Sequence, residues 1–83
     1  MKTRIETELT QHKKRLVCRL KDARHKNGIS QAQLAEILGS KQPAIARMES
    51  GDVDEISMDF LLKASLALGI SVTFNPWQYE VSV

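Results

Sequence analysis

The 83-residue sequence has a single cysteine, Cys18, few aromatic residues, and no run of about 18 apolar residues that could span a membrane. One cysteine excludes an intramolecular disulfide and a zinc site built from four cysteines. A lone cysteine in a predicted helix is typical of a protein in a reducing compartment. The basic N-terminus is not followed by the apolar core that a signal peptide requires. We therefore expect a cytoplasmic location and no contact with a membrane.

Motifs that would indicate catalysis or a bound cofactor are also missing. His12 and His25 lie on a predicted solvated helix with no cysteine or carboxylate at metal-ligand spacing. The acids Asp52, Asp54 and Glu55 lack the glycine and the distal glutamate of a calcium loop. The sequence GSKQ lacks the first glycine and the GK[ST] ending of a phosphate-binding loop. The expectation is a protein with no enzymatic activity, no cofactor and no metal.

The chain is short and its charge is unevenly distributed. Eighty-three residues form one small domain, residues 1–83, whose core is marginal, so a second copy or a partner is expected to add stability. Residues 1–26 carry nine basic and three acidic side chains, whereas residues 27–83 carry three basic and seven acidic ones. A basic end suits a protein that turns one side toward phosphates. A solvated helix face would explain this distribution equally well.

A long amphipathic helix is predicted at the basic end. Apolar residues recur there at intervals of three, four and seven: Ile5, Leu9, Leu16, Leu20 and Ala23. This periodicity predicts a helix from about residue 4 to 26, within a basic segment 1–27 that ends at Asn27-Gly28.

Two short helical patterns follow, over residues 31–38 and about 42–50. Ser30 and Gln33 have the spacing of a capping box for the first of them. Its apolar stripe is Leu34, Ile37 and Leu38, and that of the second is Ile45 and Met48. Only Gly39, Ser40 and Lys41 separate the two patterns. A turn of that length containing glycine predicts a helix-turn-helix over residues 30–51, which presents one helix to the major groove of DNA.

The pattern changes after a predicted fourth helix at residues 57–68. That helix has Leu61, Ala64 and Leu68 as its core stripe, and the segment 71–83 then alternates apolar with polar residues, as strands do. A short terminal strand or single hairpin is unstable alone, so we expect it to pair with the same strand of a second subunit. The predicted dimer interface consists of Val72, Phe74, Trp77 and Tyr79.

The stretch LAEILGSKQPAIARMESG resembles the XRE-type (Cro/repressor) helix-turn-helix family. Matches to the family pattern occur at Ser30, Gln31, Leu34, Ala35, Leu38, Gly39, Gln42, Ile45, Arg47, Glu49 and Gly51. The resemblance covers roughly residues 20–70. It implies a mainly α, repressor-like four-helix domain that binds double-stranded DNA, to which the alternating segment adds a short C-terminal β-strand or hairpin paired across a dimer. The fourth helix, which phage repressors use, is the alternative dimer interface.

The resemblance implies a role for each matching position. Gln42 would bond the edge of adenine, and Arg47 would reach a guanine or a phosphate. Gln31 would hold a phosphate or steady Gln42. Arg24 and Glu49 would form a structural ion pair between the first and third helices. The remaining predicted DNA-binding positions lie at the start of the recognition helix: Lys41, Pro43 and Ala44.

Two departures from the family pattern affect the expected DNA contacts. Lys41 replaces the usual Ser or Thr cap, which costs about 1 kcal/mol of capping but places a cation near the DNA. Asp52, Asp54 and Glu55 occupy a loop that is often basic in phage repressors. Because these acids would repel phosphate, we expect the loop to point away from DNA. Phosphate attraction would then come from the first helix and from helix N-termini.

Within the family, the GSKQ turn and the terminal strand look most like HigA- and HipB-type antitoxins. That resemblance implies a homodimer that represses its own operon and binds a toxin. Phe60 and Leu66 add apolar surface that suits a partner, although local packing would explain them as well. Two hypotheses follow: a homodimeric repressor that reads an inverted repeat, or a protein-binding module whose main role is toxin neutralisation.

Overall fold

The chain folds as four helices followed by a two-stranded ladder, in a computed structural model that describes residues 3–71, 73–75 and 80–82. The helices are α1 (Arg4–Lys26), α2 (Gln31–Leu38), α3 (Gln42–Glu49) and α4 (Met58–Ala67). The strands are β1 (Thr73–Asn75) and β2 (Glu80–Ser82). They pair antiparallel within the chain, with Thr73 opposite Ser82 and Asn75 opposite Glu80. The mainly α fold with a helix-turn-helix is as predicted, while pairing of strands between two copies stays a prediction.

Three of the helices begin at a hydroxyl cap. The side chains of Thr3, Ser30 and Ser57 each accept a hydrogen bond from the backbone N–H three residues later. In α2 the side chain of Gln33 returns a bond to the backbone of Ser30, which completes the predicted capping box. The cap of α3 is Lys41, whose side chain makes no capping bond. The start of α3 therefore depends more on tertiary packing than the other three do.

The turn between α2 and α3 is built around Gly39. This residue has φ 65° and ψ 31°, a left-handed conformation in which a side chain would be strained. The Ser40 N–H reaches back to the carbonyl of Ala35 at 2.8 Å, and the Gly39 N–H reaches that of Glu36 at 3.1 Å. These bonds satisfy the last carbonyls of α2 and reverse the chain within three residues. The recognition helix α3 begins immediately afterwards.

A single apolar core joins all four helices in the described part of the chain. Its central side chains, Leu20, Leu34, Ile45 and Leu61, come one from each helix and are fully buried. The complete set is Leu16, Val17, Leu20, Leu34, Ala35, Ile45, Met48, Val53, Leu61, Ala64 and Leu68. Because α3 contributes Ile45 and Met48 to this core, its opposite face is left at the surface.

Parts of the predicted apolar stripes of α1 and α2 lie outside the core. Ile5 and Leu9 on α1 are 78% and 44% exposed, and Ile37 on α2 is 57% exposed. With 23 residues α1 is about 35 Å long, whereas α2 and α3, at eight residues each, are about 12 Å long. The short helices cannot cover the whole of α1. Its first turns therefore extend beyond the core. Ile37 belongs to the predicted apolar stripe of α2 but lies at the surface.

Lys13 is buried although it belongs to the basic segment. Its Nζ donates hydrogen bonds to the backbone carbonyls of Val53, at 3.4 Å, and Ile56, at 2.5 Å. Val53 is itself only 1% exposed. The ammonium group thus ties α1 to the loop between α3 and α4 and holds that loop in place.

Candidate nucleic-acid interface

Five of the six sequence-predicted DNA-binding residues lie on α3 and at its N-cap. Lys41, Gln42, Pro43 and Arg47 are exposed and Ala44 is half-buried; we call these five residues the reading surface. An α-helix with its side chains is about 10–12 Å across, which fits the roughly 12 Å width of the major groove. Helix-turn-helix proteins contact base edges with the first residues of this helix. The arrangement suits insertion of α3 into the groove.

Gln31 lies beside the reading surface and orients Gln42. The Nε2 of Gln31 donates to Glu49 Oε1 at 3.1 Å, and the Nε2 of Gln42 donates over 3.5 Å to Gln31 Oε1. A carboxylate only accepts hydrogen bonds, so the amide nitrogen of Gln31 must face Glu49 and its oxygen must face Gln42. Of the two roles implied for Gln31, this geometry favours steadying Gln42.

Arg24 and Glu49 form a buried ion pair between α1 and α3. The Arg24 Nε lies 2.5 Å from Glu49 Oε2, and its Nη2 lies 2.7 Å from Oε1. The two side chains are only 8% and 4% exposed. Arg24 Nη1 also donates to the carbonyl of Ile29 at 2.8 Å, in the loop before α2. This pair joins α1 and α3 to the start of α2 and is too buried to contact DNA.

The pair stays ionised because each partner favours the charged form of the other. Burial alone would raise the pKa of Glu49, but hydrogen bonds from Arg24 and Gln31 and the nearby positive charges of Arg24 and Lys21 outweigh it, so the pKa is lowered. The hydrogen bond to Glu49 raises the pKa of Arg24 despite its burial. Gln31 is therefore held by a carboxylate that stays ionised at neutral pH.

The acidic loop after α3 does not turn wholly away from the reading surface. The carboxylate of Asp52 lies beside Arg47, with Oδ2 3.3 Å from the guanidinium Nε. Both side chains are more than half exposed, and the backbone N–H of Asp52 bonds the carbonyl of Arg47 at 3.2 Å. The chain folds back on the last turn of α3, which brings the acid to the helix. For Asp52 the expectation from sequence is corrected.

An open cleft of about 360 Å³ adjoins the reading surface between α3 and the start of α4. Its lining includes Ala44 and Arg47 from α3, Glu55 and Ile56 from the loop, and Phe60 from α4. Phe60 is half-buried there and packs against the core. Local packing thus accounts for part of the apolar surface of Phe60, whereas Leu66 is 81% exposed on the far side of α4's core stripe.

The predicted dimer interface is only partly within the described residues. Phe74 lies in β1, opposite Val81 of β2. Val72, Trp77 and Tyr79 lie outside the described residues. Over residues 3–71, 73–75 and 80–82, no group of three or more His, Cys, Asp or Glu could hold a metal ion. In the same residues no helix is long and apolar enough to cross a membrane.

Comparison with known proteins identifies the family of this chain. A protein-family model described as helix-turn-helix matches residues 20–75, which is more than half of the chain. The chain belongs to the helix-turn-helix family. The match supports the XRE-type assignment and the conclusion that this member is a sequence-specific DNA-binding regulator. A search of curated proteins finds no match.

Proposed function

We propose that this helix-turn-helix protein is a transcriptional repressor that binds an inverted repeat as a homodimer. The observation that supports this most directly is the exposed face of α3, where Gln42 is steadied by Gln31 and Arg47 stands about one and a half turns further on. Two such helices about 34 Å apart would enter successive major grooves. Binding by a dimer at a promoter blocks transcription, which is the repressor's activity.

The basic segment supports DNA binding less than its charge suggests. Lys13 and Arg24 are engaged internally, with backbone carbonyls and with Glu49. Exposed cations remain along α1, among them Lys14, Arg15 and Arg19. The N-terminal amides of α2, next to Gln31, offer a further site for phosphate. Phosphate contacts of this kind add affinity and register but no sequence information.

Replacing Gln42 tests whether α3 reads bases. We expect Gln42→Ala to lose about 1–3 kcal/mol of discrimination at one base position, because the bidentate amide contact to adenine is removed. The measurement is quantitative binding to the protein's own promoter, first mapped by base protection, and to variants with each base pair changed. The matched control is Lys41→Ala, which should weaken binding to all sequences alike and flatten the salt dependence.

The outcomes show whether Gln42 is the residue that distinguishes one base from another. If wild type distinguishes the promoter from scrambled DNA and Gln42→Ala does so equally well, Gln42 does not read a base. If wild type itself binds both DNAs with the same affinity, sequence-specific repression is excluded.

Leu66 favours a second proposed activity, binding of a toxin as the antitoxin of a toxin–antitoxin pair. This large apolar side chain is 81% exposed on α4, and Ile5 is 78% exposed on α1. Exposed apolar side chains of this size commonly mark protein contacts when they cluster. Co-expression with the reading frame next to its gene tests the proposal: a toxin should inhibit growth when expressed alone, and this protein should co-purify with it and restore growth. A neighbour product that neither binds nor inhibits growth would contradict it.

A further inference from the structure

We propose that Asp52 is a positioning residue for base recognition: it holds Arg47 so that the guanidinium presents its two terminal nitrogens to a guanine. This inference rests on the proposed function and deepens it. It assigns a specificity role to an acid that, from the sequence, would only repel DNA.

The hydrogen bond between Asp52 and Arg47 leaves the two Nη groups of the guanidinium open. Asp52 Oδ2 accepts from Arg47 Nε at 3.3 Å. Within the described part of the chain, this is the one side-chain hydrogen bond that Arg47 makes. Both Nη groups therefore remain available, and two parallel N–H donors match the O6 and N7 acceptors of guanine.

The position of Asp52 is set by the fold and not by Arg47. Its backbone N–H is bonded to the carbonyl of Arg47, and the next residue, Val53, is buried in the core. Lys13 holds the carbonyls of Val53 and Ile56 from the other side. The carboxylate thus sits on an anchored loop, whereas the arginine side chain is long and more than half exposed. An anchored acceptor restricts the directions that this side chain samples.

Asp52 also disfavours the competing use of Arg47. An arginine on the surface of a DNA-binding helix can bond any phosphate, which adds affinity for every sequence. A carboxylate beside the guanidinium repels phosphate while it leaves the Nη edge open to an uncharged base. The acid therefore has two effects of opposite sign: it lowers affinity for random DNA and it raises discrimination for guanine.

The test compares Asp52→Asn and Asp52→Ala with Asp59→Asn, a control that removes the same charge from an exposed position in the first turn of α4. Arg47→Ala first identifies the base pair that Arg47 reads, as the position where discrimination falls by roughly 5- to 150-fold. At that base pair we expect both Asp52 variants to lose about two- to fivefold of discrimination, with Asp52→Ala losing more. Both should bind scrambled DNA about two- to fivefold more tightly at low salt.

A double variant makes the proposal falsifiable. In the Arg47→Ala background, Asp52→Ala should no longer change discrimination, because no guanidinium remains to be positioned. Discrimination that is unchanged in the single Asp52 variants, or that changes equally without Arg47, would overturn the inference. A wild-type protein that does not distinguish its promoter from scrambled DNA would instead overturn the proposed function.

Discussion

Glu49→Gln is expected to lower the free energy of unfolding by about 3–5 kcal/mol, because Arg24 would remain buried without its carboxylate. The Arg24 side chain is 8% exposed, and both of its bonds to Glu49 are at or below 2.7 Å. A glutamine fills the same space but accepts at only one oxygen and carries no charge. For a small domain, such a loss is a large fraction of the total stability. Urea denaturation followed by circular dichroism measures it.

Two comparison variants assign the loss to the ion pair. Glu36→Gln makes the same chemical change at an exposed position of α2 and should shift stability by no more than about 0.5 kcal/mol. The double variant Arg24→Met/Glu49→Leu removes both charges and should recover much of the loss, because no buried charge is left unpaired. A Glu49→Gln protein as stable as the Glu36→Gln control would show that the pair contributes nothing.

The stability difference between wild type and Glu49→Gln is also expected to depend on pH. The pKa of Glu49 is lowered in the folded protein from its ordinary value of 4.5. The carboxylate therefore stabilises the fold fully above about pH 4.5, and this contribution is lost as the pH falls through the lower, folded-state value. The stability difference between wild type and Glu49→Gln should shrink below pH 4.5. A difference that stays constant down to pH 3 would contradict the lowered pKa.

Removal of residues 71–83 should weaken binding to the inverted repeat by about 10²- to 10⁴-fold. If the terminal segment joins two copies, its loss separates the two recognition helices and removes the gain from linking two half-sites. The described core lies entirely between Lys13 and Ile70, and the Ile70 N–H still reaches the carbonyl of Ser65 at 2.8 Å. We therefore expect the shortened chain to fold. Sedimentation gives its mass, and titration of the operator gives its affinity.

Leu66→Gln is the matched control for this deletion, because it tests α4 as the alternative dimer interface while leaving residues 71–83 in place. If the strand segment joins the subunits, Leu66→Gln should remain a dimer with unchanged operator affinity. A shortened chain that sediments as a dimer would refute the strand interface. A Leu66→Gln protein that sediments as a monomer would locate the interface on α4. Helical circular dichroism of both variants confirms that each still folds.

The helix-turn-helix could be predicted from the sequence because its signals are local. The Ser30–Gln33 capping box, the glycine at position 39 and the three residues between two helical patterns act within one or two helical turns. The predicted first helix, about residues 4–26, coincides with α1 for the same reason. Caps and periodicity depend on neighbours in the chain, and a single sequence contains those neighbours.

The three-dimensional arrangement was needed to show which charged and apolar residues face inward. Lys13 bonds carbonyls about forty residues away, and nothing in its local pattern distinguishes it from the exposed lysine that follows. Ile37 continues an apolar stripe yet is 57% exposed and lies outside the core. Asp52 reaches Arg47 through a chain reversal after α3. Periodicity shows which residues share a helix face, but what lies against that face depends on contacts between distant segments.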